Sequence, residues 1–221
     1  MLKYVLFDLD GTLSDTSEGI LNGFMYMLEK LGLPLPADKQ ELRPMLGPPI
    51  PRSLVERYGT SREVAEEGLR LYRVYYGPIG TRECCVFPGI PELLGTLHAR
   101  GIKVVTATSK AEPFARSVLE HLGIAEYIDF FGCADMGMLR REKEDVLAYV
   151  MEQLPDLRPE NAIMVGDREF DVIGARTVGL RCIACTYGYA SPGELEAQKP
   201  DYTVDTVAQL QKLLISLADQ I

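Results

Sequence analysis

The sequence is short of cations: 23 Lys and Arg stand against 32 Asp and Glu in 221 residues, a formal net charge of −9. Binding along a nucleic-acid backbone needs clustered Lys and Arg, so partners of that kind are disfavoured, while a small anionic substrate remains open through a local metal. Long apolar runs are also missing. None approaches the roughly 20 residues of a membrane span, and Met1 leads straight to Lys3 and a strand-like run without a charged-then-apolar leader. The expectation is a cytoplasmic protein with no membrane partner, a monomer or weak homodimer.

Cysteine is scarce and odd in number: Cys84, Cys85, Cys133, Cys182 and Cys185 give no small-domain disulfide framework and fit a reducing compartment. Cys182 and Cys185 form a C-x-x-C within "LRCIACTYG", an apolar run with no second ligand pair nearby, so a tetrahedral zinc site is not completed. Only two histidines occur, His98 and His121, each near the end of a helix-like segment that runs into Gly, where a C-terminal helix residue is the plain reading.

What the chain does have is 47% hydrophobic residues, enough to bury a core, and an unusual end to its first apolar run. "YVLFDLDGTL", Tyr4 to Leu13, reads as a strand covered on both faces that finishes in Asp8 and Asp10. Residues two apart on a strand point to the same side, so both carboxylates can face one spot. At roughly 5 Å and an effective dielectric near 20 they repel by about 3 kcal/mol. A positive group is therefore expected between them, unless Asp-Gly is only a turn.

Downstream, Ser17 to Leu31 has helical spacing and stops at Gly32; "RPMLGPPIP" at 43 to 51 reads as a rigid loop; helices are expected over 52 to 58 and 61 to 76. No strand pattern stands out from Asp15 to Cys85, so residues 15–85 are expected to form a small inserted helical domain. From Phe87 the pattern alternates: helix 90 to 100, strand 102 to 108, helices 112 to 122 and 142 to 154, strand 161 to 167, helix 169 to 178, strand 180 to 186 and a terminal helix near 206 to 218. Strands separated by helices imply parallel pairing, hence an α/β fold with a doubly wound, Rossmann-like parallel sheet built from residues 1–14 and 86–221. In such sheets ligands gather beyond the carboxyl ends of the strands.

Three strand ends meet at that edge: Asp8 and Asp10; Thr108, Ser109 and Lys110; Gly166 and Asp167. "GDREFD" adds Asp171, four residues beyond Asp167 and able to share a helix side with it. Viewed alone these acids cap a helix; together they need a hard divalent cation, and few carboxylates with waters suit Mg²⁺. Thr108 and Ser109 offer hydroxyls and an amide before a helix, a cradle for phosphate oxygen. Lys143 lies in "RREKEDVL", a charged run whose members are ordinarily a solvated face.

"FDLDGTL", the strand ending in Thr108-Ser109-Lys110, Lys143 and "VGDREFD" resemble, in order and spacing, the four motifs of the haloacid dehalogenase superfamily. The helical insertion between the first two is similar to the helical-cap phosphatases of phosphoglycolate phosphatase type, and "LRPMLGPPIPRS", "ATSK" and "MVGDREFDVIGA" look closest to a 5′-nucleotidase-like branch. The resemblance implies a phosphatase acting on small phosphomonoesters. Asp8 would be the nucleophile and Asp10 the general acid and base. Mg²⁺ would be held by Asp8, the backbone carbonyl of Asp10 and Asp167, with Asp171 supporting, Lys143 and Thr108 completing the pocket, and Ser109 beside the phosphate. The cap would close over the site, with Arg43 and Arg52 as candidate anion contacts. An acid at position 10 argues against dehalogenation. A sugar-phosphate mutase keeps both aspartates and stays open, as do a relative with dead chemistry and a receiver-like phosphorylation switch, which would not need the inserted helices.

Overall fold

A computed structural model describes residues 1–137 and 139–219 and divides into two compact units, Met1–Asp15 with Val86 onward, and Thr16–Cys85. In chain order the elements are β1 (Tyr4–Phe7), β2 (Ser14–Asp15), α1 (Ser17–Leu31), α2 (Ile50–Tyr58), α3 (Arg62–Tyr76), β3 (Cys85–Val86), α4 (Ile90–Ala99), β4 (Lys103–Ala111) and α5 (Glu112–His121). They continue with β5 (Phe130–Ala134), α6 (Lys143–Gln153), β6 (Ala162–Gly166), α7 (Glu169–Thr177), β7 (Arg181–Cys185), α8 (Glu194–Gln198), β8 (Tyr202–Val204) and α9 (Val207–Asp219).

The larger unit is built on a six-stranded sheet of order β5-β4-β1-β6-β7-β8, with every neighbouring pair parallel. Val5, Leu6 and Phe7 of β1 are wholly buried, as a central strand covered on both faces requires. Leu6, Val105 and Met164 pack in one cluster with Val146, Leu147 and Val150 of α6 and Val172 and Ala175 of α7. Each such aliphatic side chain contributes about 1.5–3 kcal/mol on burial, which fixes α6 and α7 against the sheet. Register then sets the level of the strand ends. Phe7 lies opposite Thr106 on one side and Val165 on the other, so the residues just past them, Asp8, Ala107 and Gly166, emerge together. β1 stands where the sheet order turns from one direction to the other, the position at which α/β sheets open a crevice.

The smaller unit packs α1, α2 and α3 with a 3₁₀ segment, Lys39–Met45. α1 ends at Gly32, whose left-handed φ of 66° lets its amide reach back to Glu29 and Leu28. Phe24 meets Tyr72 at 5.4 Å between ring centroids, and Tyr72 stacks on Tyr76 at 5.0 Å.

Several expected boundaries move. Of the loop placed at 43 to 51, Arg43, Pro44 and Met45 belong to the 3₁₀ segment and Ile50 and Pro51 open α2, where a first-turn proline loses nothing because its missing N–H has no helical partner. β4 runs on to Ala111 rather than ending at 108. β5, β8 and α8 have no counterpart in the sequence reading, and neither do the two-residue strands β2 and β3, which pair where the chain leaves and re-enters the α/β unit. β5 carries Gly132, a residue that weakens a strand signal; a Cβ there would come within 2.3 Å of the Thr106 carbonyl oxygen.

Candidate active site

The ladder of β1 continues one residue past its end, with Asp8 N–H donating to the Val165 carbonyl at 2.9 Å. The chain then folds on itself: the Leu9 carbonyl accepts from the amides of Leu13 and Ser14, both at 3.1 Å, and Gly11 takes a φ of 84° that other residues rarely adopt. This turn delivers the Thr12 hydroxyl to Asp167 Oδ1 at 3.0 Å. The second oxygen of Asp167 accepts the Tyr189 amide at 2.7 Å.

Lys143, expected from a charged run, is almost fully buried at the start of α6. Its ammonium donates to the Ala107 carbonyl at 2.6 Å and lies 3.0 Å from Asp8 Oδ1 and 2.8 Å from Asp171 Oδ1. Asp171 Oδ2 accepts the Arg168 amide at 3.0 Å, whereas Oδ1, despite its closeness to the ammonium, has no hydrogen-bond donor aligned on it among the described residues. One oxygen from each of Asp8, Asp167 and Asp171 lies within 4.8 Å of the other two. Asp8 and Asp171 thus share one ammonium with Asp167 beside them, and ionising all three acids would leave two negative charges in a buried site.

The titration behaviour follows. Burial, then the charges of Asp8 and Asp171, hold the Asp167 carboxyl well above the ordinary range. Burial also lifts Asp171, to about 6, against the pull of Lys143. For Lys143 itself burial favours the neutral amine, but Asp171 and Asp8 outweigh it and hold the ammonium above its usual value. One lysine does not neutralise the cluster. A hard divalent cation fits what remains on three grounds: oxygen-only donors, three carboxylates against one ammonium, and a buried carboxylate oxygen lacking an aligned donor among the described residues.

The other expected residues are placed as follows. Asp10 is set against Lys110, Oδ2 to Nζ 3.0 Å, so Asp8 and Asp10 are paired with different ammonium groups, that of Asp8 shared with Asp171, where one positive group between the two was expected. Thr108 is buried and its hydroxyl accepts the Lys110 amide at 3.2 Å, while Ser109 beside it is exposed. In the helical unit Arg43 is exposed and donates to Gln40 at 3.5 Å, and Arg52, also exposed, pairs with Glu56 at 2.8 Å. Cys182 and Cys185, three apart on β7 and therefore on opposite faces, are buried with thiols pushed up by burial. None of the five cysteines forms a disulfide.

Thr12, Lys110 and the loop after β7 take places at the site that the sequence motifs alone do not assign. Thr12 and Lys110 were within reach, since each lies in a quoted motif. Tyr189 was not, because it acts through a backbone amide. Gly188, next to it, is held to glycine by Asp167: a Cβ would lie 2.3 Å from that side chain.

Comparison with known proteins agrees with this arrangement. Residues 5–185 match the model of the family described as haloacid dehalogenase-like hydrolase. The chain is 35% identical over 217 residues to a 5′-nucleotidase of Pseudomonas aeruginosa, covering 97% of both proteins. It is 40% identical over 187 residues to the tyrosine-protein kinase PtkA of Mycobacterium tuberculosis, covering 85% of this chain and 63% of that protein. A crystal structure of a predicted phosphatase from Clostridium acetobutylicum superimposes with a TM-score of 0.93 at 39% identity, covering 98% of this chain and 99% of the other. The strand-end acids, the order of the sheet and these likenesses lead to one conclusion: the chain belongs to the haloacid dehalogenase-like hydrolase family.

Proposed function

We propose that this chain, a phosphoric monoester hydrolase, hydrolyses small phosphomonoesters of the phosphoglycolate or nucleoside monophosphate type through an aspartyl phosphate on Asp8, with Mg²⁺ as cofactor. The observation that carries this reading is the convergence of Asp8, Asp167 and Asp171 on one another, with Lys143 paired to Asp8 and Asp171 and the Asp10–Lys110 pair alongside. Relatives named 5′-nucleotidase and phosphoglycolate phosphatase support the two substrate types, the latter from Chromobacterium violaceum at 34% identity over 221 residues.

In the first step a carboxylate oxygen of Asp8 bonds to phosphorus as the bond to the leaving oxygen breaks, and Asp10 gives that oxygen its proton. In the second, water attacks phosphorus, Asp10 takes a proton from it, and the bond from phosphorus to Asp8 breaks to release inorganic phosphate. Mg²⁺ held by Asp8, Asp167 and the Asp10 backbone carbonyl, with Asp171 supporting, would supply charge neutralisation of the phosphoryl oxygens. Lys143 keeps Asp8 oriented and adds positive charge, and Thr108 and Ser109 offer hydrogen bonds to the phosphoryl group. The helical unit is assigned the choice of leaving group, with Arg43 and Arg52 as its candidate anion contacts. Among the described residues no helix is long and apolar enough to cross a membrane, which accords with a cytoplasmic enzyme.

The test is phosphate release across a panel of phosphorylated metabolites, with Mg²⁺ and with chelator. Release that needs Mg²⁺ and is abolished in Asp8→Asn supports the proposal. Undiminished turnover by Asp8→Asn in a clean preparation removes the nucleophile assignment, and label moving to an acceptor other than water would make the chain a transferase or mutase.

A further inference from the structure

Two ammonium groups serve the acids of this site, and they divide the work. Lys143 has three N–H donors and three oxygens around it, from Asp8, Asp171 and Ala107. Asp10 is paired elsewhere. The second ammonium belongs to Lys110, 3.0 Å from Asp10 Oδ2, with its side chain 6% exposed against 22% for the aspartate.

The course of β4 brings it there. The strand continues past Thr108 to Ala111 and carries Lys110 two residues beyond Thr108. The Thr108 hydroxyl accepts the Lys110 amide, and pairing with β5 slips in register between Thr108 and Ala111, so this end of the strand is shaped locally rather than by the ladder alone. A carboxylate that is partly exposed turns freely about its side-chain bonds unless something fixes it. A lysine that is itself buried fixes it well.

We propose that Lys110 is a positioning residue: it holds the Asp10 carboxyl group where it reaches the leaving-group oxygen, and so determines how well the enzyme cleaves esters with poor leaving groups. This rests on Asp10 as the proton donor of the first step. In that step the proton passes from Asp10 to oxygen while the oxygen keeps the electron pair of the broken bond to phosphorus. Lys110 gains and loses no proton. Its contribution is to placement, and it is felt most where the leaving oxygen cannot depart unprotonated.

The experiment measures kcat/KM, which reports the first step, for Lys110→Met and Asp10→Asn on a series running from p-nitrophenyl phosphate to simple alkyl phosphates. Lys110→Met is expected to lose about 100-fold on alkyl esters, the scale of a misplaced catalytic group, and less than about tenfold on the nitrophenyl ester. Asp10→Asn should show a slope of the same sign but steeper. Lys110→Arg, which keeps the charge and shifts it, should recover part of the alkyl activity, and it serves as the working variant if Lys110→Met does not fold. A crystal structure of Lys110→Met should show the Asp10 carboxylate displaced. A steep slope for Asp10→Asn with a uniform loss, or none, for the Lys110 variants overturns the positioning role and leaves the acid assignment standing. A flat series for Asp10→Asn overturns the acid assignment, and the role of Lys110 with it.

Discussion

Thr12 and Asp167, 155 positions apart in the chain, are joined by a 3.0 Å hydrogen bond in a fully buried setting. The bond ties the turn after β1 to the end of β6 and holds one oxygen of a carboxylate proposed as a metal ligand. Thr12→Val keeps the shape and removes the donor. The expected result is a roughly tenfold or greater loss in Mg²⁺ affinity, the usual scale for groups that orient ligands, with about 1 kcal/mol of stability lost. Thr12→Ser should stay close to the parent. Calorimetric Mg²⁺ titration of both variants checks this, and equal affinities would detach Thr12 from the metal site.

Lys143 presents the opposite case, a single cation whose loss strands several anions. Lys143→Met would leave Asp8 and Asp171 without the ammonium now 3.0 and 2.8 Å away. Removing one partner of a buried pair costs about 3–5 kcal/mol because the other charge remains in place. Urea unfolding in chelator should show a loss on that scale, together with the loss of phosphate release. A cost under about 1 kcal/mol would mean that the acids are already neutral or hydrated, contrary to the buried geometry.

These two residues mark how far the sequence could be read. Asp8, Asp10, Asp167 and Asp171 were legible because each pair sits within one strand end or one helix turn, and local periodicity suffices to bring them to the same edge. Lys143 was legible only by resemblance, since a charged run gives no sign that one member is buried. The partition of Asp8 to Lys143 and Asp10 to Lys110 was not legible, because it depends on the register of β4 against β1 and on how α6 approaches the sheet. β5 and β8 escaped for another reason: one carries a glycine and the other is three residues long, too little pattern to stand out before their neighbours are known.

Asp167 is also confined by glycines. Cβ atoms built at Gly11 and Gly188 would lie 2.1 and 2.3 Å from it, and Thr12 and the Tyr189 amide keep it from moving aside. Gly188→Ala is expected to cost about 1–3 kcal/mol through overpacking and to weaken Mg²⁺ binding. Gly32→Ala is the control for a loss of stability away from the site: its φ is positive, unlike that of Gly188, and no described atom lies within 4 Å of its Cβ. It should lose about 1–2 kcal/mol from left-handed strain alone and keep its Mg²⁺ affinity. Thermal unfolding with and without Mg²⁺ separates the two, and equal Mg²⁺-dependent shifts would refute the confinement.

The raised carboxyls of Asp167 and Asp171 give the metal-free protein a distinctive pH dependence. Both titrate near 3.9 when unfolded, and Asp171 near 6 when folded, so between these values the native state binds more protons than the unfolded one. Stability from this source is full below about pH 4 and is lost as pH rises through 6. Glu194 acts the other way: burial raises it, but Arg168 and the amides of Ser191 and Glu169 outweigh that and hold it low. Its stabilisation is lost only as pH falls below about 4.5, outside the window. In chelator, then, the melting temperature should rise as pH is lowered from about 7.5 to 5.5, and the trend should flatten in Asp167→Asn. Saturating Mg²⁺ should reverse it, because the cation competes with protons for the same oxygens and stabilises the folded state that binds it. Melting curves over this range, with and without Mg²⁺, are decisive. A metal-free protein that gains stability towards pH 7.5 would show that these acids are not crowded together without compensation, and the case for a divalent cation would lose its electrostatic basis.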